Sequence, residues 1–227
     1  MAAKYQLNLS ELGCLVRMAS MEDEQEFPGK DGMEEGEVTE IRESLIKKGY
    51  IKGGEDRRVL ILAPLMELVR SICMYEAKFY VIGFQKEKQE QEFSFYFYEG
   101  RICFMEHQGD VYDLFEIPSL SLAAGMLANR IEIKGETSKI LNQISPDELT
   151  DEFKLGIEKD QIKRHWIFIG KNKTNTKTRC IFRIIESADA QEMLELKPEK
   201  ITIIKPGKTD FINACMDCMQ KINSTVK

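Results

Sequence analysis

Hydrophobic positions in the first third of the chain recur at helical spacing. Leu12, Leu15, Val16 and Ala19 form one apolar stripe, which predicts a helix. Asn8 is placed to cap it, Glu11 completes a capping box, and Leu7 can staple onto Leu12. A second helix is predicted from about Glu37 to Lys48, with Val38, Ile41 and Leu45 on one face. Gly49 then supplies the left-handed residue of its C-terminal cap, and Tyr50 folds over Leu45. Ile51 and Val59 to Leu62 read as short strands around Gly53-Gly54. Pro64 occupies the first position of a third helix carrying Leu65, Leu68, Val69 and Ile72 inward.

Beyond residue 76 the period changes from helical to alternating. Phe79 to Phe84, Phe93 to Tyr98, Ile102 to Met105 and Val111 to Ile117 predict an antiparallel meander, closed by a small-residue helix from Pro118 to Arg130. A polar helical linker follows, with Ser145-Pro146-Asp147-Glu148 as its start signal. The segments "HWIFIG", "RCIFRII" and "KITII" then read as strands, with "KNKTNTKT" as a turn, and a last helix runs from about Thr209 to Ile222. "FYVIGF" at 79 to 84 and "WIFIG" at 166 to 170 each open a strand set that a helix closes. An α+β fold with a pseudo-two-fold duplication is therefore expected. We expect one domain over 1–227, in three parts: a helical unit with a short hairpin (1–75), a meander-plus-helix half (76–145) and a strand-plus-helix half (146–227).

Charge narrows the function. The net charge is -6 and the pI about 5.3, so a nucleic-acid partner would require a segregated basic patch. The helix-hairpin order around "ESLIKKGYIKGGEDRRVLILAP" resembles a winged helix, and a DNA-binding regulator with a sensing C-terminal half is the alternative reading. That reading lacks a third helix before the wing and sets Glu37, Glu40 and Glu43 where phosphates would lie. Glu22 to Glu40 adds nine carboxylates against Lys30 alone, the composition of a solvated loop. No apolar run approaches the roughly 18 residues of a membrane span and no export signal opens the chain, so membrane insertion is not expected and a cytoplasmic location is.

Candidate chemistry is sparse, and neither enzyme activity nor a cofactor is expected. The six cysteines (14, 73, 103, 180, 215 and 218) fall in predicted helices and strands, as reduced core residues do. Cys215 and Cys218 form a CxxC, but inside a helix and on its apolar stripe, where a redox pair would sit at a helix start. His107 and His165 have no partners at metal-ligand spacing. Neither "GEDRR" nor "KPGKTD" is a phosphate loop. Surface recognition is better represented. Alternation turns Tyr96 and Tyr98 away from Phe93, Phe95 and Phe97, and tyrosine is enriched in interfaces. Lys171, Lys173, Lys177 and Arg179 make a basic hairpin tip suited to an acidic partner.

The order "LNLSELGCLVRM … FP … EIRESLIKKGYI … LAPLMELVRSI" resembles the opening of the EspG-type chaperones of type VII secretion systems. Leu7, Glu11, Leu12 and Leu15 match that family's first helix, and Pro28 its loop proline. Leu45, Gly49 and Tyr50 match the end of the next helix, and Leu62, Leu65, Leu68 and Ile72 the spaced leucines that follow. The match covers about the first third of the chain. It departs in the acidity of the loop and in a Lys- and Ile-rich composition. The resemblance implies a pseudo-two-fold fold and a cytosolic binding protein that keeps a helical secretion substrate soluble, with no catalytic residue.

Overall fold

The computed structural model describes residues 3–20, 35–53, 58–85, 88–146, 162–173, 179–188 and 190–224. Strand β1 (Tyr5–Asn8) runs directly into α1 (Leu9–Ala19). The junction is the expected capping box: the Asn8 side chain accepts from the Glu11 N–H and Glu11 accepts from the Asn8 N–H, both at 2.8 Å. Glu11 is 0% exposed. It also accepts from the Ser44 hydroxyl at 2.7 Å and pairs with the Lys48 ammonium at 2.6 Å. Burial pushes its pKa up, but Lys48, Ser44 and the Asn8 N–H together outweigh that and hold it below the usual carboxylate value. One buried carboxylate thereby fastens the end of α2 (Glu35–Lys47) to the start of α1.

Helix α2 stops as its sequence requires. Gly49 has φ +71°, a conformation in which a side chain would clash. The Tyr50 N–H reaches the Leu45 carbonyl at 2.9 Å and the Gly49 N–H the Ile46 carbonyl at 2.8 Å, the paired bonds of a Schellman cap. The hairpin β2 (Ile51–Gly53) and β3 (Val59–Ile61) follows, then α3 (Ala63–Met74), in which Pro64 is the second residue rather than the first.

The remaining strands form one continuous antiparallel sheet. The first meander is β4 (Ala77–Gln85), β5 (Lys88–Tyr98), β6 (Arg101–Gln108) and β7 (Val111–Ile117), followed by α4 (Leu120–Arg130). Then come β8 (Lys139–Ile144), β9 (Arg164–Asn172), β10 (Arg179–Glu186), β11 (Gln191–Leu196), β12 (Ile201–Lys205) and α5 (Lys208–Ser224). Strand order is β1-β7-β6-β5-β4-β9-β10-β11-β12-β8. The two opening strands, β4 and β9, pair antiparallel at the centre from Ala77 against Asn172 to Gln85 against Arg164. Outward from that pair the two halves repeat each other: three more strands of a meander, then an outer strand (β1 or β8) that precedes the meander in sequence. The α+β class and the duplication expected from the alternation are both present, and the repeat includes the outer strands.

Three strands were not anticipated. β1 reads as a cap, being only four residues long. β8 ("KILNQI") sits just before the expected helical linker. It shows no alternation because, at the sheet edge, five of its six residues are exposed. β11 ("QEMLEL") is built from good helix formers, and its position between β10 and β12 overrides that propensity. From Asp147 onward the linker helix signalled by Ser145 to Glu148, and most of the acidic loop, lie outside the described residues.

Each face of the sheet has its own core. On one, Phe79, Val81, Phe93, Phe95, Phe97, Phe104, Trp166, Phe168 and Phe182 pack beneath α4 and α5. On the other, α1, α2 and α3 cover Tyr96, Cys103, Met105 and Leu114 of the first half only. The winged-helix-like order is thus a lid on half a sheet. The outer face of α2 leaves Glu37, Glu40 and Glu43 exposed, which repels a phosphate backbone. No described helix is long and apolar enough to cross a membrane.

Candidate functional site

Helix α5 is fixed to the sheet at both ends. At its start Asp210 accepts the Ser138 N–H at 2.9 Å, and the Gly207 N–H donates to the Ser138 hydroxyl at 2.8 Å. At its end the Asn172 amide donates to the Ile222 carbonyl at 3.2 Å. Ile222 itself rests on Gly170, where a Cβ would meet its Cδ1 at 2.3 Å and the Cδ1 of Ile181 at 2.9 Å, so a larger residue there would make these side chains shift. Phe211, Cys215 and Met219 are the buried stripe. Phe211 meets Phe168 and Phe182 edge-on at 5.7 and 6.0 Å.

A second stripe of α5 lies to one side of the buried one. Asp210, Asn213, Ala214, Asp217, Cys218 and Lys221, spaced three or four apart, form the wall of an open groove of about 530 Å³. Its floor is Ile181 and Phe182 of β10 with Met193 and Glu195 of β11, and Leu196 and Lys197 line its end. The floor continues sideways, because register sets Met193 against Ile204 and Ile204 against Ile140 at the sheet edge. Of the rim charges, Glu195 and Lys197 pair with each other at 2.8 Å and Asp210 is held by its backbone donor. A slot with an apolar base and a partly self-satisfied polar rim suits the apolar stripe of a helix.

The CxxC divides between core and groove. Cys215 is fully buried, and burial raises its thiol well above the ordinary value; burial pushes the Cys218 thiol up to about 11. A redox pair needs the opposite shift. Among the described residues no group of three His, Cys, Asp or Glu side chains is placed to hold a metal.

Of the residues singled out from sequence, Tyr96, Tyr98, Lys171 and Lys173 lie on the other face. Register puts Tyr96, Lys78 and Lys171 in one row across β5, β4 and β9. Tyr96 is not on the surface: it is buried under α3, edge-on to Tyr75 at 5.8 Å, and burial raises its phenol pKa. Alternation identifies the face a side chain points to, but not whether a helix from 20 residues earlier covers it. The Lys78 ammonium lies over the Tyr80 and Tyr96 rings at 4.8 and 4.9 Å. Tyr98 is half-buried, its hydroxyl 3.8 Å from the Met74 sulfur. Lys171 is half-buried, while Lys173 is exposed at the end of β9, where its N–H donates to the Glu76 carbonyl at 2.9 Å. Lys177 lies outside the described residues. Sequence reasoning missed the groove because β11 went unassigned; the clue it did offer was the small pair Ala214 and Cys218 beside the buried stripe of α5.

No protein-family model and no curated protein matches the sequence. Among solved structures, the Mycobacterium tuberculosis type VII secretion system chaperone EspG5, determined in complex with a PE25-PPE41 dimer, superposes with a TM-score of 0.66 over 96% of both chains at 6% sequence identity. The resemblance noted in the first third of the sequence is thus one of fold along nearly the whole chain: this protein has the architecture of that chaperone.

Proposed function

We propose that this protein is a non-enzymatic chaperone or adaptor that holds an amphipathic helical segment of a secretion substrate in the groove beside α5. The observation that carries this reading is the groove itself: an open apolar slot between a helix and a sheet, in a fold shared with a secretion chaperone. Anchors at i, i+3 or i+4, and i+7 of the bound helix would rest on Ile181, Ile222 and the edge of Met193, each contributing about 1.5–3 kcal/mol when fully buried. Covering that stripe removes from water the surface through which a free substrate would aggregate. On the other face of the sheet, Tyr98, Lys171 and Lys173 would give a secondary docking point for acidic groups of the same partner.

The test is co-expression with individual helical type VII secretion substrates, followed by isolation of the complex. A 1:1 complex is expected, and Ala214→Arg, which fills the groove from its wall, should abolish it while leaving the far-UV circular dichroism unchanged. Failure of every substrate to associate, or a complex indifferent to Ala214→Arg, would sink the reading.

A further inference from the structure

The groove beside α5 has a direction. Five charged residues line it: Asp210, Asp217 and Lys221 on the helix, Glu195 and Lys197 on β11. On α5 the acids come first and all three residues are exposed. Lys221 lies roughly 16 Å beyond Asp210 along the axis at 1.5 Å per residue. Ile222, the next residue, meets Ile181 over Gly170, so Lys221 marks the end of the groove at the start of β10. β11 runs antiparallel to β10 with Glu195 opposite Phe182. Lys197, two residues on, therefore lies at that same end. Glu195 and Asp217 both add to the rise of the Cys218 thiol, which brings acids of the two walls to one stretch of the groove. Each wall thus passes from acid to base in the same direction.

We propose that the helix held in this groove, whose presence rests on the function proposed above, is acidic in its first turns and basic in its last, and lies antiparallel to α5. In that direction its acids reach Lys197 and Lys221, and its Lys or Arg residues reach Glu195, Asp217 and Asp210. Helices favour this distribution on their own account, because acids suit the positive end of the helix dipole and bases the negative end. Laid parallel to α5, the same helix would set acids beside Asp210 and Asp217 and bases beside Lys221. Full side-chain charges outweigh the half-charge at each helix terminus, so the rim and not the backbone dipole chooses the direction. Apolar contacts on Ile181, Ile222 and Met193 are non-directional. The rim therefore supplies selectivity more than affinity.

The probe is a synthetic helical peptide with leucines spaced i, i+4, i+7 and i+11, glutamates beside the first two and lysines beside the last two. One version carries a benzophenone at its start, the other at its end. Each is irradiated with the full chain, and the attachment sites are mapped by mass spectrometry. The start-labelled peptide should attach near Leu196 and Ile222, and the end-labelled one near Asn213 and Ala214. Each should do so at least about fivefold more often than at the opposite end. Asp217→Lys combined with Lys221→Asp should erase that excess, and so should salt at about 0.5 M, where the Debye length falls to about 4 Å. Both substituted residues are exposed, and unchanged circular dichroism confirms that the fold survives. Attachment in the reverse sense, equal attachment at both ends, or an excess that survives the charge exchange would overturn the proposal and leave the groove standing. A peptide that attaches nowhere in the groove, or equally to Ala214→Arg, would overturn the groove and the proposal with it.

Discussion

The two halves of the sheet follow one plan and treat their surfaces differently. In the first half the aromatic face is filled: Phe104 contacts Phe95 and Phe115 at centroid distances of 5.0 and 4.9 Å, and Ala123, Ala124, Leu127 and Ala128 of α4 seal it. Its other face lies under α1 to α3. In the second half Phe168, Phe182 and Phe211 fill only the region beneath α5, and the floor over β10 and β11 stays open. Duplicating a meander with its helix thus yields two scaffolds, and side-chain volume decides which one is core and which is a groove.

Four substitutions can break or sharpen that contrast. The largest effect is expected at Phe104→Ala, which empties the middle of the filled half. Loss of a buried Phe costs about 3–5 kcal/mol, and urea unfolding would report it as a lower midpoint with an unchanged slope. A loss below about 1 kcal/mol would mean that the first half is not packed as described. Next is a matched pair of additions. Ala124→Leu adds volume where Ala124 is 0% exposed, and overpacking costs about 1–3 kcal/mol. Ala214→Leu adds the same atoms beside the groove and should stay within about 0.5 kcal/mol. Equal penalties from the two would erase the distinction between core and groove.

The smallest effect concerns the lid over the first half. Glu11 has a folded pKa below its unfolded one, so the stability it adds is present above the unfolded value of about 4.3 and is lost as pH falls through the folded pKa. Glu11→Gln should flatten this acid limb in unfolding experiments run as a pH series. Lys48 is a third exposed, so solvent screening keeps the ion-pair part below about 1 kcal/mol. An acid limb identical in the two proteins would show that Glu11 does not fasten α2 to α1.

Local chemistry was the legible part of the chain. The Asn8–Glu11 box, the Gly49 cap and the alternation of Phe93, Phe95 and Phe97 are each decided within a few residues, and each is where the pattern put it. The candidate site was less legible. Tyr96 was assigned to the correct face but is covered by α3, and the groove depends on β11, whose Glu, Met and Leu residues carry no strand signal of their own. The EspG-type pattern was visible only in the helical third, where caps and leucine spacing are local features.

By itself, then, the amino-acid sequence determined the period of the first three helices and of the first meander, the caps at Asn8 and Gly49, the α+β class and an acidic charge balance unsuited to a DNA reader. Tertiary structure alone decided that β4 meets β9 at the centre, that β1 and β8 close the two ends, and that α5 covers β9 while leaving β10 and β11 partly open. Strand partners are chosen by contacts made far along the chain and by the volume left between layers. Those quantities exist only once both halves of the sheet are assembled.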